Sequence, residues 1–120
     1  MVYEPTGLER RIARYLALVR QHMRIDKAIL FGSYAYGQPH EFSDVDVVIV
    51  SRDFCNVPFV RRLERLSLLA WESKAGDIEA LGYTPKEFEQ ASDLSLLGEV
   101  RERGTVIYDV AQEEMEPEPA

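Results

Sequence analysis

The sequence has only one cysteine and no apolar run long enough to cross a bilayer. Cys55 excludes an internal disulfide and is typical of a protein in a reducing compartment. We expect it to be a small buried side chain rather than a nucleophile. All apolar runs are shorter than the roughly 20 residues that a transmembrane helix needs. These absences predict a cytoplasmic protein without a membrane anchor.

An excess of basic residues is also missing. The 14 lysines and arginines are outnumbered by 21 acidic residues, which gives a formal net charge of -7. Four of the acids lie in the last eight residues, and without them the balance is 14 minus 17, or -3. Neither value favours broad contact with a polyanionic backbone. Extended nucleic acid is therefore not the expected ligand.

The length of 120 residues fits one domain and leaves no room for a separate acceptor-binding domain. We predict that residues 1–110 form this domain. Residues 111–120 are rich in Glu and Pro and have no apolar pattern, so they are predicted to be a disordered acidic tail.

Polar residues of a particular kind border two short strand-like runs, Ala28–Phe31 and Val45–Val50. Gly32 and Ser33 follow the first run, Asp44-Val45-Asp46 stands at the start of the second, and ten residues lie between Ser33 and Asp44. Side chains two positions apart on a strand point to the same face, so Asp44 and Asp46 could share a divalent cation. Two carboxylates this close repel each other unless a cation lies between them, and hard oxygen ligands suit Mg2+.

Gly32 and Ser33 supply groups that suit a phosphate. A glycine after a strand lets backbone N–H groups approach an anion closely, and the serine adds a hydroxyl donor. The pattern therefore predicts a nucleotide triphosphate held between Gly32-Ser33 and a metal on Asp44 and Asp46.

Periodicity and turn residues predict the remaining elements. The nearly all β-branched residues 45–50 indicate a central strand covered on both faces. The long apolar helix is expected to turn Val60, Leu63, Leu66, Leu69 and Ala70 inward, with Trp71 in the core or at a partner interface. The other predicted elements are helices at Leu8–His22, 34–37, Phe59–Lys74, Thr84–Ala91 (with a capping box) and Asp93–Arg103, a loop at 38–43, and strands at Asp77–Tyr83 and Val106–Tyr108. Helices that alternate with strands indicate an α/β fold with a mixed sheet.

The combination of G-S, ten residues and D-x-D resembles the signature of the DNA polymerase β-like nucleotidyltransferase superfamily. It most resembles the minimal nucleotidyltransferase (MNT) branch, whose members are often antitoxin partners of HEPN-domain proteins. The resemblance spans about residues 8–109 and includes, more loosely, the run IEALGYTPKEFE. It implies a polymerase β-like core, with a mixed β-sheet flanked by α-helices.

The resemblance also implies a third carboxylate on the strand after the long helix. Asp77 and Glu79 both lie there, two positions apart. Glu79 is favoured because relatives with a similar Y-T-P-x-E-F continuation carry the acid four residues before the tyrosine, here Tyr83. Many relatives have aspartate at this place, and Asp77 remains the alternative.

The resemblance implies a Mg2+-dependent nucleotidyltransferase. Such an enzyme would move AMP from ATP to the hydroxyl of a tyrosine in a HEPN toxin. Gly32 and Ser33 would cradle the phosphates, while Asp44, Asp46 and Glu79 would hold two Mg2+ ions. One alternative is an antitoxin that neutralises its partner by binding alone. Another is adenylylation of a small molecule, which the lack of an acceptor domain disfavours. The sequence is compatible with either a homo-oligomer or a hetero-oligomer.

Overall fold

The structure, a computed structural model, describes residues 7–32 and 44–115. Within these residues four strands form one mixed sheet: β1 (Lys27–Phe31), β2 (Val45–Val50), β3 (Ile78–Tyr83) and β4 (Thr105–Asp109). Their order across the sheet is β3-β2-β1-β4. Strand β1 pairs antiparallel with β2 and β4, whereas β2 and β3 are parallel. The predicted mixed α/β sheet is confirmed.

Helices cover both faces of this sheet. They are α1 (Gly7–His22), α2 (Phe59–Glu72), α3 (Pro85–Gln90), α4 (Leu96–Arg103) and α5 (Val110–Met115), with a short 3-10 turn at Arg52–Phe54. The predicted capping box is present at Thr84, whose side chain accepts from the Glu87 N–H. No described helix is long and apolar enough to cross a membrane. The helix predicted at 34–37 and the loop predicted at 38–43 lie outside the described residues.

Strand β2 is buried on both faces, as its sequence predicts. Val45, Val47 and Ile49 join the core beneath α1 and α2, while Val48 and Val50 join a second core beneath α3 and α4. The alternation arises because successive strand residues point to opposite faces. The remaining residue of β2, Asp46, is therefore on the α3–α4 face, where it is the one polar side chain of the strand.

The inward face of α2 differs from the prediction at two positions. Leu66, Leu69 and Ala70 are buried, but Val60 is 62% exposed and Leu63 is exposed as well. Arg62 is buried instead, with 6% exposure. Its guanidinium donates to the carbonyls of Val57 and Gly82 and pairs with Glu87 at 2.6 Å. Because those partners satisfy the charge, the helix can rotate an arginine inward and leave apolar side chains outside.

Two further predictions of burial are wrong. Trp71 is 77% exposed, so the core alternative for it fails, and Cys55 is exposed rather than a small core residue. Cys55 directly follows the 3-10 turn, whose buried side chain is Phe54. Phe54, rather than Cys55, is therefore the buried side chain at this turn.

Some element ends also differ from the predicted ones. Helix α2 ends at Glu72 instead of Lys74, because Lys74 has a positive φ of 61°. Helix α4 begins at Leu96 instead of Asp93, since the Ser95 side chain caps it by accepting from the Gly98 N–H. Helix α5 occupies residues 110–115, where the sequence predicts the start of an irregular tail. The division of the chain at residue 110 stays a prediction.

Substituting Gly82 with alanine should destabilise the fold. A Cβ at Gly82 would lie 2.7 Å from the Phe54 ring and 3.2 Å from Leu66, and both of these side chains are fully buried. We expect a loss of about 1–3 kcal/mol, the usual effect of overpacking a core. Urea or thermal unfolding measures it. Gly7→Ala is the control, because a Cβ there has no neighbour within 4 Å; equal stability of the two variants would contradict the packing described.

Candidate functional site

Three predicted site residues meet at one end of the sheet because of how the strands pair. Phe31, the last residue of β1, lies opposite Asp46 on β2, and Asp46 lies opposite Glu79 on β3. Asp44 immediately precedes β2 and is exposed. The strand register therefore gathers Asp44, Asp46 and Glu79 beside the turn at Gly32.

Gly32 is in direct contact with one of these carboxylates. Its φ is +74°, a conformation that side chains rarely adopt. A Cβ at this position would overlap Asp46 Oδ2 and would lie 3.2 Å from Asp46 Cγ. Gly32 is thus required both by the turn and by the position of the Asp46 carboxylate. The sequence indicated only the closeness of this backbone to an anion.

Two of these carboxyl groups, Asp46 and Glu79, have raised pKa values. Burial, followed by the charge of Asp44, raises the pKa of Asp46. The charge of Asp44, followed by burial and the charge of Asp46, raises the pKa of Glu79. The charges that act on these two groups in the described part of the chain are negative. A bound cation would relieve this repulsion.

The donor set fits a divalent metal that a substrate helps to hold. Within residues 7–32 and 44–112, no three Asp, Glu, His or Cys side chains already form a group that could hold a metal ion. Mg2+, however, is usually bound by one or two carboxylates together with water and substrate phosphates, rather than by a complete protein cage. Asp44 and Asp46 fit that requirement, and Glu79 lies beside them as a third oxygen donor.

Asp77 is committed to a different contact. It lies just before β3, and its carboxylate is 3.1 Å from the Arg11 guanidinium of α1. Its carbonyl accepts the N–H of Val45 at 2.9 Å. The prediction that β3 begins at Asp77 is wrong, because the strand begins at Ile78. The geometry favours Glu79 as the third acid. The pairing of Arg11 with Asp77 was not predicted, because Arg11 is one of several arginines on the polar side of α1.

Ser33, the other predicted phosphate-binding residue, lies outside the described residues. Two basic residues border the motif strands in sequence, Lys27 as the first residue of β1 and Arg52 after β2, but both lie at the end of the sheet away from the three carboxylates. There Lys27 is opposite Val50, and Arg52 pairs with Asp26 at 3.1 Å.

A profile of the nucleotidyltransferase domain family matches residues 12–110. The chain belongs to the nucleotidyltransferase family. The matched residues include Gly32, Asp44, Asp46 and Glu79, and the predicted membership is confirmed. No curated protein sequence matches the chain significantly.

Solved structures share this nucleotidyltransferase fold at low sequence identity. A crystal structure of a toxin-antitoxin with AMP-PNP has a TM-score of 0.60 and 21% identity, over 88% of this chain and 77% of the other. A double Asp-to-Glu mutant of the toxin-antitoxin MntA-HpeT has a TM-score of 0.59 and 20% identity, over the same shares of 88% and 77%. A candidate nucleotidyltransferase from Sulfolobus solfataricus has a TM-score of 0.54 and 13% identity, over 93% of this chain and 95% of the other. These similarities confirm the polymerase β-like fold.

Replacing Asp46 with asparagine should stabilise the metal-free protein, although it removes a candidate ligand. Because the pKa of Asp46 is raised in the folded chain, its ionised form opposes folding. We expect a gain of up to about 1 kcal/mol at neutral pH, the upper end of the contribution of solvent-screened charge pairs. The gain should be lost as the pH falls through the raised pKa, because the wild-type carboxyl is then protonated. Thermal unfolding in a chelator, from neutral pH to about pH 4, tests this.

The control is Glu64→Gln, at an exposed position of α2, which should show no gain in stability. Adding Mg2+ and ATP should raise the Tm of the wild type more than that of Asp46→Asn, since ligands stabilise only the form that binds them. A loss of stability in Asp46→Asn at neutral pH would contradict the repulsion described here.

Proposed function

We propose that this nucleotidyltransferase is a Mg2+-dependent enzyme that transfers AMP from ATP to a hydroxyl of a partner protein. The observation that carries the proposal is the convergence of Asp44, Asp46 and Glu79 beside Gly32, with raised pKa values at Asp46 and Glu79. The similar toxin-antitoxin structure holds AMP-PNP, a nucleotide of the kind required. Mg2+, when bound, would neutralise phosphate charge and activate the attacking hydroxyl.

Each residue has a distinct proposed role in this transfer. Gly32 and Ser33 position the β- and γ-phosphates, and Asp44 and Asp46 hold both metal ions. Glu79 completes the metal site at the attacking hydroxyl and accepts its proton, directly or through water. The hydroxyl oxygen bonds to the α-phosphorus while the bond from that phosphorus to the bridging oxygen breaks. Pyrophosphate leaves with the electron pair.

We further propose that the acceptor is a tyrosine of a HEPN toxin and that the chain acts as the antitoxin. This assignment rests on the resemblance to minimal nucleotidyltransferases and on the fold shared with MntA-HpeT. The two aspartates replaced in that mutant are two positions apart, the spacing of Asp44 and Asp46. Modification would silence the toxin. Because the chain has a single cysteine, we assign it to the reducing cytoplasm.

A second candidate is an antitoxin that acts by binding alone. One observation favours it: the described residues contain no ready-formed group of three metal-binding side chains. The family resemblance adds that the candidate third acid is a glutamate where many relatives have aspartate. Such a protein would keep the carboxylates as a nucleotide-sensing or structural remnant. Retained complex formation without transfer would identify it.

Glu79→Gln and Asp77→Asn, measured as two separate variants, test which residue is the third acid of the site. If Glu79 holds the metal at the attacking hydroxyl, Glu79→Gln should lower the transfer rate at least about a hundredfold, as should Asp44→Asn. Asp77→Asn should change the rate only a few fold, since it loses an exposed ion pair worth at most about 1 kcal/mol of stability. The assay follows the intact mass of the HEPN toxin after incubation with ATP and Mg2+.

Each possible result leads to a different conclusion. AMP additions that depend on Glu79 but not on Asp77 support the proposed enzyme. The reverse dependence would move the third metal ligand to Asp77. If the wild type forms a tight complex but adds no AMP, the transferase proposal fails and the binding-only antitoxin takes its place.

A further inference from the structure

A groove of about 490 Å3 lies between helix α2 and strand β3. Its walls include Leu63 and Ser67 from α2 and Ile78, Glu79 and Leu81 from β3. Ile78 and Leu81 belong to opposite faces of the sheet, so the groove runs along the edge of β3 and is lined by both. The groove therefore leads from the protein surface to the third carboxylate of the candidate site.

A second cavity of about 610 Å3 extends this groove. It is lined by Trp71, Glu72, Lys74 and Gly76, and Gly76 also lines the first groove. Trp71 lies against this junction, since a Cβ on Gly76 would be 3.9 Å from the Trp71 ring. The two cavities are neighbours that share Gly76, and we call them together the Trp71–Glu79 groove.

The same side of α2 carries apolar side chains that the fold leaves uncovered. Val60, Leu63 and Trp71 are all exposed, with Trp71 at 77%. Exposed apolar patches beside a concave surface are typical of protein interaction sites, and tryptophan is one of the residues enriched among interface hot spots. The exposure of Trp71 thus indicates a protein partner.

The edge of β3 limits how a partner could bind. The N–H of Val45 donates to the Asp77 carbonyl and that of Ser51 to the Tyr83 carbonyl, so residues 78, 80 and 82 turn their backbone groups outward. The Ile78 N–H already donates to Ala75, and the Gly82 carbonyl already accepts from Arg62. Only the middle of the edge, around Ala80, is left for strand pairing. Affinity must therefore come mainly from side chains that fill the groove.

We propose that the Trp71–Glu79 groove seats the segment of the partner protein that carries the acceptor hydroxyl. Trp71 anchors this segment, and Leu63, Ile78 and Leu81 hold apolar residues next to the hydroxyl, which then lies at Glu79. The inference rests on the proposed function, because it takes Glu79 to be the acid beside the attacking hydroxyl. It identifies the acceptor as a chain segment with apolar flanking residues.

Two other occupants fit less well. A second copy of this chain seated in the groove would cover Glu79 and exclude the acceptor. The chain's own residues 111–120 contain no serine, threonine or tyrosine, and their four glutamates would meet the carboxylates of the site. A separate partner protein satisfies the apolar lining, the open groove and the need for a hydroxyl.

Trp71→Ala tests the anchor without disturbing the core, because Trp71 is on the surface. The measurement is made in the Asp44→Asn background, where transfer is expected to be at least about a hundredfold slower. There Trp71→Ala should lower the affinity of the chain for the HEPN toxin about thirtyfold, as is usual for an interface hot spot. Leu94→Ala is the matched control: Leu94 is 98% exposed between α3 and α4, outside the groove, and its affinity should stay within about twofold. Calorimetric titration measures both values.

Steady-state transfer provides a second readout in chains with the native Asp44. Trp71→Ala should raise the KM for the toxin and leave kcat at saturating toxin and the affinity for ATP unchanged, since uniform binding alone is lost. Ser67→Trp fills the groove from an exposed helical position and should abolish transfer at every toxin concentration. Circular dichroism and Tm establish that both variants are folded.

The outcomes separate this proposal from the proposed function. Equal binding by Trp71→Ala and Leu94→Ala, or no binding of the toxin to the Asp44→Asn chain, overturns the groove. If transfer occurs but neither Trp71→Ala nor Ser67→Trp affects it, the groove is wrong and the transferase stands. If the wild type transfers nothing but Trp71→Ala still weakens binding, the transferase is wrong and the groove remains the docking surface of the partner.

Discussion

The mutual repulsion of Asp44, Asp46 and Glu79 is the constraint on which the structure of the site depends. Three like charges at the end of one sheet oppose folding, and the raised pKa values of Asp46 and Glu79 record that cost. The fold has to hold these groups together until a cation neutralises them. Strand β2 does so because it is paired on both sides, antiparallel with β1 and parallel with β3.

The energy that opposes this repulsion comes from burial on both faces of β2. Its valines and Ile49 are removed from water beneath α1 and α2 on one side and beneath α3 and α4 on the other. Each fully buried side chain of this size contributes roughly 1.5–3 kcal/mol of transfer free energy before entropy is counted. Arg62 and Arg11 then fix the ends of β3, by bonds to Gly82 and Asp77. The carboxylates thus stand on a rigid, apolar support.

This arrangement leaves one side of α2 unusually apolar and exposed. Arg62 is buried in this helix, whereas Val60 and Leu63 are exposed on the same side as Trp71. A buried, hydrogen-bonded arginine rarely improves stability over an apolar residue of similar size. The proposed docking groove gives this exposed side of α2 a function. The same side borders the groove that leads to Glu79, so the packing of α2 on the core also determines the surface by which a substrate reaches the site.

Local patterns were sufficient to predict much of the fold and the identity of the central motif. The β-branched run at 45–50, the amphipathic period of α1 and the Thr84–Glu87 capping box each depend on neighbours in sequence, so they could be read without tertiary information. The same holds for Gly32, Asp44 and Asp46, whose spacing follows from two strands and one turn. Ser33 belongs to that motif, and its role stays a prediction.

Only the tertiary structure decided which residues of α2 are inside, where β3 begins and which acid faces the carboxylates. Helical period identifies an apolar side of α2 but does not reveal that Arg62 has partners at Val57, Gly82 and Glu87, which lie apart from it in sequence. Likewise, the sequence favoured Glu79 over Asp77 only by resemblance, whereas the structure shows that Asp77 pairs with Arg11 on another helix. In both cases long-range contacts determine where the charged side chain lies, because the burial of a charge depends on partners that sequence spacing does not show.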